Sequence, residues 1–253
     1  MGDFINTVDI LGDEVVTNSI IDGSITEYND NNITMVGDSV FRYREALTSV
    51  NFPNVTTIGN YAFYCCTSLT SVNIPSVTKL DSEAFSYCSA LTSVNLPNVN
   101  THGSKPFYSC GIKSLSMPSL SSTNNVLCNS CSLLERADFQ ILTSTGSNFI
   151  TYCDKFTSVD LPMLNTLGSS AFTNCKSLKM VILRSTTMCT LQGTNAFKSS
   201  LIASGTGYIY VPRALVEGYK TATNWSTYAN QFRALEDYTV DGTTTGALDE
   251  TKI

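Results

Sequence analysis

Charge is scarce in this chain. Only 14% of its 253 residues are Asp, Glu, Lys or Arg, and it has a single histidine and a single tryptophan. One imidazole cannot build a His-rich metal site, and His102 is the only candidate for a histidine base. Fifteen basic against twenty-one acidic residues leave a formal charge of −6. That balance repels phosphate backbones and acidic bilayers, so no nucleic acid partner is expected. No segment approaches the ~18 consecutive apolar residues of a membrane span, and no membrane insertion is expected. The stretch Met1–Thr7 carries an acid where a secretory signal has a basic region, and no apolar run follows. The expectation is a surface location reached by another route or after removal of a leader, or else a place in a virion. Dinucleotide, phosphate-loop, zinc-protease and EF-hand motifs are missing too, so no cofactor, metal or catalytic role is expected.

What is abundant is repetition. Units open at Leu47, Leu69, Leu91, Ile112, Leu134, Phe156 and Leu178, so the steps are 22, 22, 21, 22, 22 and 22 residues. A half unit from Val36 to Phe41 precedes them in phase. The opening, as in Leu69-Thr70-Ser71-Val72-Asn73-Ile74-Pro75, alternates apolar and polar side chains, the mark of a strand with one buried face. Val72 and Ile74 point inward, Ser71 and Asn73 outward. Pro53, Pro75, Pro97, Pro118 and Pro162 close these strands, because proline offers no N–H to a ladder. The second half of each unit, with inward Ala and Phe, is too short for a long helix. A helical or 3₁₀ turn on the convex side is expected there.

The period and the L-x-x-L-x-L pattern place the chain among leucine-rich-repeat solenoids, with a parallel β-sheet on one face and short turns on the other. The fuller form L-T-S-V-x-L-P-x-V-x-x-I-G-x-x-A-F-x-x-C resembles the BspA-like family of bacterial surface and adhesion proteins. The resemblance covers about residues 33 to 200 and implies the fold more strongly than any ligand. The asparagine usual after the strand in such repeats is replaced by Val55, Val77, Val99, Leu120, Leu142 and Leu164.

A 22-residue unit cannot bury its apolar side alone, so stacking supplies the core and each end needs a cover. Residues 1–32, with Val8, Ile10, Leu11, Val15, Val16, Ile20 and Ile21, are read as an N-terminal cap or docking segment. Residues 33–200 form the solenoid. Residues 201–240 are read as a C-terminal cap of a strand, Tyr208 to Val211, and a helix begun by Pro212, with Trp225 as a packing anchor. This tail also resembles the caps of BspA-like proteins. Residues 241–253 read as a flexible tail.

Six of the nine cysteines, Cys66, Cys88, Cys110, Cys131, Cys153 and Cys175, each lie three residues past the aromatic position. A ladder of reduced, buried thiols is expected, since stacked Cβ atoms ~4.8 Å apart fall just beyond disulfide reach. Cys128 stands in the column of Phe63, Phe85, Phe107 and Phe172, as a core residue and not half of a metal-binding pair. His102 shares the column of Ile58, Leu80 and Leu167, as a half-buried filler.

The outward strand positions give two columns of candidate ligand-binding residues. Their members are Ser71, Ser93, Ser114, Arg136 and Ser158 in one, and Asn73, Asn95, Ser116, Asp138 and Asp160 in the other, with Glu135 flanking. The fifth unit departs from the consensus outside while its inward pattern stays apolar. A recognition or adhesion module binding a protein or a glycan is expected. The alternative is a structural or receptor-binding part of a phage tail or baseplate, anchored by residues 1–32.

Overall fold

The computed structural model describes residues 15–16, 24–123 and 125–253. The expected cap residues Val8, Ile10, Leu11, Ile20 and Ile21 lie outside them. The chain winds into a solenoid of about nine turns. Its principal wall stacks the parallel strands Glu27–Asn29, Ser49–Asn51, Ser71–Asn73, Ser93–Asn95, Ser114–Ser116, Arg136–Asp138, Ser158–Asp160, Met180–Ile182 and Tyr208–Val211. Two of these strands, the first and the last, lie beyond the seven units counted from the sequence. Register is strict: Ser114 pairs with Arg136, Arg136 with Ser158 and Ser158 with Met180. Every outward side chain therefore has its counterpart one turn away.

A second wall consists of two-residue strands, among them Met35–Val36, Thr57–Ile58, Lys79–Leu80, Thr101–His102, Thr166–Leu167 and Thr190–Leu191. Val15–Val16 pairs in parallel with Met35–Val36 at the N-terminal end of this wall. The third wall carries the expected 3₁₀-type turns, in chains of i→i+3 hydrogen bonds such as Ala62 to Gly59, Tyr64 to Tyr61 and Cys66 to Phe63. They do not extend into a helix. Tyr61 and Cys65, each third in its turn, have φ of 55° and 58°, the sign type II turns demand there. Left-handed non-glycine residues cost on the order of 1 kcal/mol each. Here their N–H groups point along the solenoid axis to the next turn, Tyr61 to the carbonyl of Ser82 and Cys65 to that of Ser86. The ladder holds them in place.

The period has local causes. The Thr hydroxyl of L-T-S-V reaches the carbonyl one turn back, Thr48 to Thr26 at 2.8 Å and Thr70 to Thr48 at 3.1 Å. Proline carbonyls left over at the strand ends accept Ser76 at Pro53 and Ser119 at Pro97, both at 2.6 Å. The glycine of I-G is required by stacking, because a Cβ on Gly59 would lie 2.8 Å from the backbone nitrogen of Asp38. Inside, the Phe column stacks ring on ring: Phe41 to Phe63 and Phe63 to Phe85 are both 5.0 Å apart and within 4° of parallel. Such pairs contribute roughly 0.5–1.5 kcal/mol beyond burial. Cys128 continues that column, in register with Phe107 and Ile150.

Past the strand Tyr208–Val211 the chain forms a 3₁₀ turn, Arg213–Leu215, a short helix, Val216–Thr221, a second 3₁₀ segment, Trp225–Gln231, and a strand, Phe232–Ala234. Pro212 sits one residue before the first of these. Trp225 and Tyr219 are both 1% exposed and grip the backbone of Cys189: the indole donates to its carbonyl, and its N–H donates to the Tyr219 hydroxyl, each at 2.7 Å. The anchoring role read for Trp225 is visible in those contacts. Residues 241–253, expected as a flexible tail, make contacts with the rest of the chain. Thr239 bridges antiparallel to Leu248, and the carbonyls of Thr244 and Gly246 accept from Arg184. Leu248 packs against Ile182, Tyr210 and Leu235, an apolar cluster on the outside of the principal wall. Leu248 lies beyond the helical spacing that marks the cap, and Met180 and Ile182 continue the two outward columns past Ser158 and Asp160.

Candidate functional site: the outward strand face

Strand alternation places all the candidate residues except Glu135 on the outer side of one wall, and strict register lines them up. Ser71, Asn73, Ser93, Asn95, Ser114, Glu135, Arg136 and Asp138 are exposed, while Ser116, Ser158 and Asp160 are half-buried. The second column begins as an amide ladder, with the Asn73 Nδ2 donating to Asn51 Oδ1. Ser114, Arg136 and Ser158 are consecutive in the first column, and Ser116, Asp138 and Asp160 in the second.

Arg136 and Asp138, two apart on one strand, face the same side. Asp138 accepts from Ser116 Oγ at 3.4 Å and from Gln140 Nε2, which fixes the carboxylate. Arg136 forms no ion pair among the described residues. A fixed acceptor beside an open guanidinium fork can engage both polarities of one ligand.

Asp160 is different. Its Oδ2 accepts from Arg184 Nε at 2.7 Å, and Oδ1 is buried without a partner. Burial raises its pKa above the ordinary carboxylate value, against the lowering effect of Arg184. It braces Arg184, which holds the C-terminal segment, and its own side chain stays 38% exposed beside Asp138. Arg184 lies 24 residues away in sequence and outside the repeat pattern.

All nine cysteines are free, Cys65 half-buried and the rest buried. Several thiols point to backbone carbonyls, among them Cys66 to Phe41 at 3.0 Å and Cys88 to Phe63 at 3.1 Å. Burial pushes Cys66 and Cys189 up to about 12, which suppresses the nucleophilic thiolate. His102 pairs in register with Leu80, and its Nδ1 lies 2.7 Å from the Gly103 carbonyl. Among the described residues no three His, Cys, Asp or Glu side chains gather as metal ligands would.

The turn wall carries a second feature that the repeat reading passed over. Tyr43, Tyr64, Tyr87 and Tyr108 zigzag across four turns, ring centroids 5.2 to 5.6 Å apart and each pair edge to face. Arg42 lies over Tyr43, Tyr61 and Tyr64 at 4.9 to 5.4 Å. The signal was present in the sequence: each of these tyrosines stands one or two places after a core Phe, alternately.

With register and inward columns in view, the family match is direct. The model of the BspA type leucine-rich repeat region matches residues 23–135 and 103–206, in six copies. The chain belongs to the BspA-type leucine-rich-repeat family. Among solved structures, a leucine-rich-repeat protein of T. pallidum is similar with a TM-score of 0.56 and 18% identity, over 65% of this chain and 82% of that one. A leucine-rich cell surface protein of Faecalibacterium prausnitzii is 17% identical with a TM-score of 0.39, over 81% of this chain and 63% of that one. The pneumococcal vaccine antigen PcpA is 14% identical with a TM-score of 0.33, over 84% of this chain and 77% of that one. The T. pallidum likeness bears on the fold alone. A comparison with curated protein sequences finds no match. No catalytic family is indicated for this BspA-type chain. Among its described residues no helix is long and apolar enough to cross a membrane.

Proposed function

We propose that this chain is a non-enzymatic recognition and adhesion module that binds a protein or glycan through the outward strand face, centred on Arg136 and Asp138. One observation carries the reading. Along a wall whose inward positions stay apolar in every turn, the strand Arg136–Asp138 alone sets a guanidinium and a carboxylate side by side on the exposed face, between turns bearing Ser114 and Ser116 on one side and Ser158 and Asp160 on the other. Solenoid proteins commonly bind on such extended strand surfaces. Members of the BspA-type family typically serve as surface adhesion or protein-binding modules, which supports the class of function. The tail or baseplate alternative draws no support from the comparisons.

The test is to replace Arg136 and Asp138 by the consensus residues, Arg136→Ser and Asp138→Asn. Exposed substitutions of this kind change stability by about 0.5 kcal/mol or less, so the melting temperature is expected to hold. Attachment of the labelled chain to intact cells or to a glycan and protein array is expected to fall. Undiminished attachment with an intact fold moves the site off this face.

A further inference from the structure

The outward face ends, toward the C-terminus, in a cavity of about 250 Å³. Its walls carry Lys179, Arg233 and Lys252 together with the rings of Tyr208, Tyr210 and Tyr238. Three cations around one hollow stand out in a chain of formal charge −6. Lys252 has an acidic partner, Asp249 at 3.3 Å, whereas Lys179 and Arg233 form no ion pair among the described residues. The Arg233 guanidinium lies over the Tyr208 ring, 4.1 Å from its centroid, and Nη1 donates to the carbonyls of Asn230 and Phe232. That fixes its plane, and its other N–H groups make no hydrogen bond among the described residues. Tyr210 and Tyr238 meet edge to face at 4.9 Å, giving the hollow a rigid aromatic flank.

We propose that this hollow binds a carboxylate-bearing sugar residue of a glycan whose neutral residues continue past Met180 along the column of Ser158, Arg136 and Ser114. The proposal rests on the reading of the outward face as a recognition surface and names its ligand class. A fixed guanidinium with two ammonium groups nearby matches a carboxylate. The partly exposed rings of Tyr208 and Tyr238 offer apolar surface to the C–H face of a pyranose, while Tyr210, 3% exposed, backs Tyr238. The volume lies below the roughly 300–1,000 Å³ of pockets for drug-sized ligands and suits one sugar residue. An acidic peptide side chain would satisfy the cations but leave the rings uncovered.

The test uses the full chain with four probes: a sialic-acid-terminated or glucuronate-terminated trisaccharide, its carboxyl-reduced counterpart, an acidic hexapeptide and inorganic phosphate. Calorimetry is expected to show binding of the acidic trisaccharide, weakened roughly ten-fold or more by carboxyl reduction and by Arg233→Gln or Lys252→Gln. Equal binding of the reduced sugar, displacement by phosphate or the peptide at equal concentration, no binding of either acidic sugar, or indifference to both substitutions would overturn the proposal. Should Arg233→Gln unfold the C-terminal turn, Lys252→Gln, on an exposed side chain, decides alone. The two readings fail separately. Cell attachment lost on changing Arg136 and Asp138 but kept on changing Arg233 and Lys252 sinks the hollow only. Sugar binding in the hollow with attachment indifferent to Arg136 and Asp138 sinks the centring on the fifth unit only.

Discussion

Arg184 and Asp160 form a clasp: Nε donates to Oδ2 at 2.7 Å, while Nη1 of the same guanidinium donates to the carbonyls of Thr244 at 2.6 Å and Gly246 at 3.1 Å. One side chain thereby ties the outer face of the strand wall to a segment 60 residues further along. The segment in turn covers Ile182 and Tyr210, which are 2% and 3% exposed.

Arg184→Met should open that clasp. It leaves Asp160 half-buried with neither oxygen paired and two carbonyls unsatisfied, a loss of about 1–3 kcal/mol. Hydrogen exchange is expected to speed up at Val240 and Asp249, whose N–H groups donate within the C-terminal segment, and to stay slow in the strand Arg136–Asp138. Unchanged exchange at Val240 and Asp249 would show that the apolar cluster alone holds the segment.

His102 makes stability depend on pH. Burial lowers its pKa below the ordinary 6.5, and the hydrogen bond to the Gly103 carbonyl offsets this in part. The unfolded chain therefore binds the proton more readily, so the stabilisation of the neutral ring is complete above about pH 6.5 and is lost as pH falls toward the folded value. His102→Leu, which copies Leu80 one turn back, is expected to flatten the melting temperature between pH 7 and 5 relative to the parent. Parallel curves for the two proteins would mean that His102 does not titrate differently on folding.

The cysteines give a chemical count. Of nine thiols only Cys65 is even half-buried, which leaves eight buried, and its own pKa is raised by burial and by Glu45. A thiol reagent at pH 8 is expected to modify at most one cysteine in the native protein and nine after unfolding without reductant. Protected pairs in the unfolded protein would contradict the ladder of free thiols.

Periodic features were legible in the sequence and singular ones were not. The inward columns, the Cys ladder and the placement of Cys128 beside Phe107 follow from a 22-residue period and one alternating strand, because parallel register repeats whatever one turn contains. The outward columns follow by the same logic, down to Arg136 beside Ser158. The Arg184 clasp, the covering of Ile182 and the hollow around Arg233 arise between segments with no shared period, so no spacing announced them. Asp160 shows the boundary: its column position was read from the pattern, while its partner lay outside it. The tyrosine zigzag was periodic, but with alternation between two neighbouring positions, which a single-column reading does not detect.

The most direct measurement compares steric blocks on two walls. Ser93→Trp puts an indole in the middle of the outward strand columns, and Thr173→Trp puts one on the turn wall; Ser93 is exposed and Thr173 half-buried. With melting temperatures matched, attachment of the Ser93→Trp protein to cells should drop to background while the Thr173→Trp protein attaches like the parent. The opposite result, full attachment after Ser93→Trp and loss after Thr173→Trp, would place recognition on the turn wall and contradict the assignment of the strand face.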